Sequence, residues 1–366
     1  MIIEKENNQS NNKEIYTLSF LRGIASLYVV IGHVMIWGGY KGYFPNPKVA
    51  VDVFIFISGF LIFGGFFSKK RGLQSYFKHR FFRIAPCYYF SILVFTLLYP
   101  YINEGLVYIQ SLDRTRWPIG SKYDAGLVVY DLKSILMHIS FIFGLFPKYS
   151  QSSYVGDWSI SLEMQFYLLA PVLVVFLSRW WSVCILTLIA IYACVFSSLN
   201  AYTLSFTEPS LIIIKLHIFI LGGVIFLAVR MRGLWYRIFL ISLALLLIYA
   251  QYWIQRYTFL SNNSSVYLLI SIVLVLFYKN LNYIFNNFIV RFLSNISYPL
   301  YLIHGVFIAL SGLIYMKSDC NVSLFVLMAI VTIPLSILSA WLISITIEKK
   351  GMELAKKEMF KFKSRQ

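Results

Sequence analysis

Apolar residues fall in long runs separated by short polar segments. Ten runs approach or reach the roughly 20 residues needed to cross about 30 Å of hydrocarbon. They are 15–37, 49–67, 84–101, 158–178, 181–198, 209–229, 234–251, 264–279, 292–315 and 322–347. A further run, 134–147, is short for a crossing and reads as an eleventh helix or as a re-entrant or interfacial segment. The pattern predicts an all-α polytopic membrane protein with about ten transmembrane helices. It places a membrane domain over 15–347, between a polar tail at 1–14 and a basic tail at 348–366.

Composition agrees. Of 366 residues, 59% are hydrophobic, and the mean hydropathy is +0.72. Residues 1–15 are polar and carry no apolar leader, so the first helix is expected to direct insertion and stay in place. The net charge of +17 invites a nucleic-acid partner. Its distribution argues against one, because Lys and Arg sit in short loops between spans, as topology signals do. Cys87, Cys184, Cys194 and Cys320 form no CxxC or CxxH pattern, and they read as small packing residues.

Charge also decides the topology. With the N-terminus inside and 134–147 not crossing, the cytoplasmic segments carry 21 of the 32 Lys and Arg. If 134–147 crossed, every later loop would flip, and the basic 230–237 loop and the C-terminal tail would lie outside. The bias favours ten spans with both termini cytoplasmic. Residues 102–157 are then one long outer excursion, and loops of that length are usually functional.

The first run, LRGIASLYVVIGHVMIW, holds Arg22 and His33. Eleven residues apart, they lie on one helix face, about 16 Å apart along the axis. Ionisable residues inside a span usually face the protein interior or a water-filled cavity. His33, Asp52 and Glu163 all come out in the outer half of the membrane. One histidine and two carboxylates at one depth suit an acid–base group, with His33 as base and Asp52 or Glu163 fixing its tautomer. Three separately satisfied polar residues near an interface would give the same pattern. On the inner side, SKKRGLQSYFKHRFFR places Arg80 and Arg83 on one face if helical. Arginine pairs suit phosphate, although basic loops also serve as plain topology signals or bind anionic lipid. Lys215 is expected to snorkel, His217 to pair with a neighbouring helix, and His304 to join a buried polar network or act in catalysis. Ser58-Gly59 reads as a small-residue contact between helices.

Five stretches together resemble the integral-membrane acyltransferase-3 family. They are LRGIASLYVVIGH, VDVFIFISGFLI, RFFRIAP, WSISLEMQFYLLAP and SNISYPLYLIHGVF, in family order over nearly the whole chain. The resemblance implies transfer of an acyl group, often acetyl, from cytoplasmic acyl-CoA to sugars or other acceptors at or beyond the outer face. By motif match, it makes His33 the essential histidine and pairs it with Arg22. It assigns Arg80 and Arg83 to the acyl-CoA phosphates, and Glu163 to the acidic position of the fourth motif.

The expected function is acyl transfer from acyl-CoA to a hydroxyl of a surface polysaccharide or its lipid-linked precursor, in the inner membrane. His33, Glu163 and Asp52 would be catalytic, and Arg80, Arg83 and Arg22 would bind the donor. The CoA thiolate is a good leaving group, so no metal is required. Some relatives carry an additional extracytoplasmic esterase-like domain; here the membrane domain or a separate protein would serve the acceptor. The alternative is a polysaccharide exporter of the same architecture. An exporter should show repeat symmetry and broken helices in corresponding positions, and the sequence reveals neither.

Overall fold

The computed structural model describes residues 15–42, 46–68, 72–128, 130–151, 156–255, 264–318 and 321–355. Among these residues there is no β-strand. In a bilayer every backbone N–H and C=O must be satisfied within the segment, and a helix does this locally. The helices are α1 (Tyr16–Trp37), α2 (Lys48–Ser68), α3 (Leu73–Leu112), α4 (Leu132–Ile139), α5 (Trp158–Phe176), α6 (Trp180–Leu199) and α7 (Ala201–Leu204). They continue with α8 (Ile212–Arg230), α9 (Leu234–Gln255), α10 (Ser265–Leu276), α11 (Tyr278–Phe285), α12 (Phe288–Lys317) and α13 (Leu324–Ile343). Nine helices in the described residues are long and apolar enough to cross a membrane, and α10 with α11 makes a tenth if that bent pair is one span.

All ten apolar runs are helical, with two departures in shape. The run at 84–101 is the middle of α3, a 40-residue helix. At 1.5 Å per residue α3 is about 60 Å long, twice the hydrocarbon thickness. The run at 264–279 is broken, with α10 and α11 meeting at 93°. The 134–147 run does not form a crossing helix. It holds α4, of eight residues, and then single turns at Phe143–Leu145 and Pro147–Tyr149. Between them Phe141 adopts φ 61°, a left-handed conformation uncommon for a side chain of this size. Its carbonyl is held by the Ser161 hydroxyl at 2.6 Å.

The chain forms two compact units. The first comprises Met1–Ala25, Lys48–Arg71 and Leu162–Ser294; the second comprises Ser26–Pro47, Gly72–Ser161 and Asn295–Gln366. In the first unit α8 is buried along nearly its whole length, and it packs on α2 through paired glycines. A Cβ on Gly59 would lie 2.1 Å from the Phe219 carbonyl oxygen, and one on Gly222 would lie 2.2 Å from that of Phe56. Only glycine permits this approach, which bears out the Ser58-Gly59 contact point. Phe63, Phe166 and Phe219 pack beside it, the last two stacked at 3.9 Å between centroids.

The second unit uses the same device where α3 meets α12. A Cβ on Gly105 would lie 2.1 Å from the Ala309 carbonyl oxygen, and one on Gly312 would meet Ile109. Proline chemistry ties in the chain after α13. Pro299 has no N–H, so the Asn295 carbonyl loses its helical donor; the Ser344 hydroxyl donates to it at 3.1 Å. Ser344 opens a wide turn, Ser344–Glu348, with π-helical geometry. Beyond it Gly351 packs against the Pro86 ring of α3, at a distance that leaves little room for a Cβ.

Candidate active site

In the second unit the site grows from α1 and α12. His33 is half-buried on α1, four residues before that helix ends. Its Nδ1 lies 2.8 Å from Nε2 of His304 on α12, with the two rings parallel to within 4°. His304 Nδ1 lies 2.8 Å from the Tyr301 carbonyl oxygen and 3.2 Å from that of Leu300. A carbonyl only accepts, so His304 Nδ1 carries a proton. In a neutral ring His304 Nε2 is then an acceptor, and His33 must donate from Nδ1. That leaves Nε2 as the basic nitrogen of His33. Asp52 or Glu163 is the expected partner fixing the His33 tautomer; within the second unit His304 lies on the Nδ1 side, and the helix backbone behind it sets the direction of the chain.

Tyr301, one turn before His304, is held twice by the chain entering α5. Its hydroxyl donates to the Gly156 carbonyl and accepts from the Ser159 hydroxyl at 3.0 Å. Asp157 lies between these two residues and belongs to a second cluster. The Tyr88 hydroxyl donates to Asp157 Oδ2 at 2.7 Å, and His138 Nδ1 lies 2.9 Å from the same oxygen. All three side chains are buried. Sequence reasoning missed this cluster because His138 lay in the run judged too short to cross and Asp157 at the edge of a helix. The available signal was His138 itself, an ionisable residue in an otherwise apolar stretch.

The arginine pair also lies in the second unit. Helix α3 begins at Leu73, so Arg80 and Arg83 are helical and share a face at i, i+3. Lys69, Lys70 and Arg71 of the same basic stretch fall outside the described residues. The Arg80 guanidinium lies 5.8 Å over the Tyr76 ring. Arg83 lies 3.7 Å from Oε1 of Glu348, at the end of the wide turn after α13.

The first unit holds the remaining expected residues. Glu163 on α5 accepts from the Ser58 hydroxyl of α2 at 2.5 Å. Asp52 on α2 and Lys215 on α8 form a buried ion pair, with Nζ 2.8 and 3.0 Å from the two carboxylate oxygens. Lys215 therefore does not snorkel: it is 2% exposed. Taking it out of water without a counter-charge would cost several kcal/mol, and Asp52 supplies that charge. His217 pairs with a neighbouring helix as expected, its Nε2 lying 2.5 Å from Gln251 Oε1 on α9. Arg22 is half-buried on α1, on the unbroken helix that also carries His33. Cys87, Cys184 and Cys194 are free thiols, and Cys320 lies outside the described residues.

A half-buried imidazole with a directed basic nitrogen can take a proton from a hydroxyl and return it to a leaving group. A helical arginine pair can hold a phosphate. No curated protein and no solved structure matches the chain. The model of the acyltransferase-3 family, described as an acyltransferase domain, matches residues 15–344. Over that length the motif order, the helices and the site residues fall within one family domain, and the chain belongs to the acyltransferase-3 family of multi-pass membrane acyltransferases.

Proposed function

We propose that this protein moves an acyl group, acetyl in the first instance, from acyl-CoA to a hydroxyl of a surface polysaccharide or its lipid-linked precursor in the inner membrane. His33 Nε2 removes the proton of the acceptor hydroxyl. The acceptor oxygen attacks the thioester carbonyl, the C–S bond breaks, and the imidazolium returns its proton to the CoA sulfur. His304 positions His33 by accepting from its Nδ1. Arg80 and Arg83 bind the CoA phosphates through charge-assisted hydrogen bonds, and Arg22 is assigned to the donor as well. Glu163, held by Ser58, and Asp52, paired with Lys215, complete the set of acidic residues assigned to the site.

The observation that carries this reading is the hydrogen-bond chain from the Tyr301 and Leu300 carbonyls through His304 to His33. Here the chain directs a basic nitrogen, as acid–base chemistry at neutral pH requires. The exporter alternative predicts broken helices in matched positions; among the described residues α10–α11 is a single broken span, without a second break to match it. The test is to incubate membranes containing the protein with radiolabelled acetyl-CoA and to follow label into the glycan fraction. Label in an alkali-labile ester that depends on the protein is expected. Export of unmodified glycan without label transfer would favour the exporter.

A further inference from the structure

One helical turn beyond His33, α1 ends in a construction that acyl transfer itself does not require. Helix α1 ends at Trp37; Gly39 follows with φ 77°, and Tyr40 N–H closes back on the Met35 carbonyl at 3.0 Å, a glycine-terminated helix end. The Ile36 carbonyl, left without a helical donor, accepts from Arg116 Nη1 at 2.8 Å, and Nη2 of the same guanidinium reaches the Tyr40 carbonyl at 3.0 Å. Arg116 sits in a tight turn after α3. There Asp113 Oδ1 accepts from the Thr115 hydroxyl at 2.6 Å and from Arg116 N–H at 3.1 Å, and Trp117 N–H closes on the Asp113 carbonyl at 3.0 Å. This clamp sets Trp117 against Trp37, with ring centroids 4.4 Å apart and planes 21° apart. Both indoles are partly exposed, and the clamp that orders them is built from the charged Asp113 and Arg116 and the Tyr40 carbonyl.

Trp37 follows His33 by four residues, so the two lie within about 40° of one another around α1 and about 6 Å apart along it. We propose that Trp37 and Trp117 form a platform for a pyranose ring, the acceptor subsite that presents a sugar hydroxyl to His33. A pyranose has a face of C–H bonds that packs on an indole, and hydroxyls around its edge that need polar partners. Two ordered indoles beside a charged clamp, one sugar's reach from a directed base, match both needs. A fully apolar acceptor would have no use for polar groups at the edge of the indoles, and a linear polyol has no flat C–H face. The proposal rests on the reading of His33 as the general base.

The experiment uses the full-length protein in nanodiscs. Its tryptophan emission is titrated with methyl glucoside, methyl galactoside and methyl N-acetylglucosaminide, with sorbitol as the ring-less control. At least one glycoside should shift the emission at concentrations where sorbitol does not. Trp117→Ala should weaken that glycoside roughly five- to tenfold, the scale of one aromatic contact, and raise the acceptor KM to match. Trp117→Tyr should recover part of the loss, and Trp37→Phe should behave similarly. Glycoside titrations indistinguishable from sorbitol, or unchanged in Trp117→Ala and Trp37→Phe, would overturn the platform. So would an equal rise in the acyl-CoA KM, which would place the indoles against the donor's adenine or in plain packing. His33→Ala in the same preparation separates this proposal from the reading beneath it. Glycoside binding with acyl transfer independent of His33 would unseat the reading, whereas His33-dependent transfer without ring selectivity would unseat only the platform.

Discussion

At the scale of single residues, His304 carries the sharpest prediction. Removing its Nε2 acceptor frees His33 to rotate and to carry its proton on either nitrogen. His304→Ala should lower acyl transfer on the order of a hundredfold or more, as loss of a tautomer-fixing partner does elsewhere. His304→Gln keeps a carbonyl that can accept from His33 Nδ1 and should recover much of the rate; equal loss in both would mean that His304 acts only through packing. Arg80 and Arg83 make a second case. If both hold donor phosphates, at about 1.5–3 kcal/mol per charge-assisted bond, the double Arg→Ala variant should bind CoA at least tenfold more weakly by calorimetry. The Asp52–Lys215 pair is a third. Lys215→Met strands a buried carboxylate at a cost of about 3–5 kcal/mol and should sharply lower thermal stability in detergent. Adding Asp52→Leu should restore most of it, because the pair in apolar surroundings is replaceable as a unit. A double variant no better than Lys215→Met would mean that the pair does more than neutralise itself.

At the scale of elements, the existence of the helices was legible because the hydrocarbon leaves the backbone no alternative. Their shapes were less so. The α3 flanks carry Lys78, Arg80, Arg83, Asn103 and Glu104, which a hydropathy reading trims away although the helix continues through them. The break between α10 and α11 has no proline or glycine to announce it. Of the candidate residues, His33, Arg80, Arg83 and Glu163 could be picked out from residue type and spacing. The pairings could not, because His33–His304 joins residues 271 apart and His138–Asp157 joins a short helix to a helix entrance. The Gly59–Gly222 crossing yields a direct test. Gly222→Ala puts a methyl 2.2 Å from the Phe56 carbonyl oxygen, so α2 and α8 must part and the melting temperature should fall. Gly233→Ala, whose added Cβ meets nothing within 4 Å, is the matched control and should leave it unchanged.

At the scale of the whole molecule, the charge distribution predicts both termini in the cytoplasm and the segment after α3 outside. Ile119, 78% exposed in that segment, is the probe. In a background whose native cysteines are replaced, Ile119→Cys should react with an impermeant maleimide on intact cells. Labelling only after the membrane is opened would invert the topology. The central claim, that this acyltransferase works through a base at His33, is tested most directly by the ester-linked acyl content of the surface glycan. It is measured by NMR in cells making the unaltered protein or His33→Ala, with the membrane level of each protein determined alongside. The account predicts that His33→Ala accumulates in the membrane normally and leaves the glycan unacylated. Normal acylation in a well-expressed His33→Ala strain would contradict it.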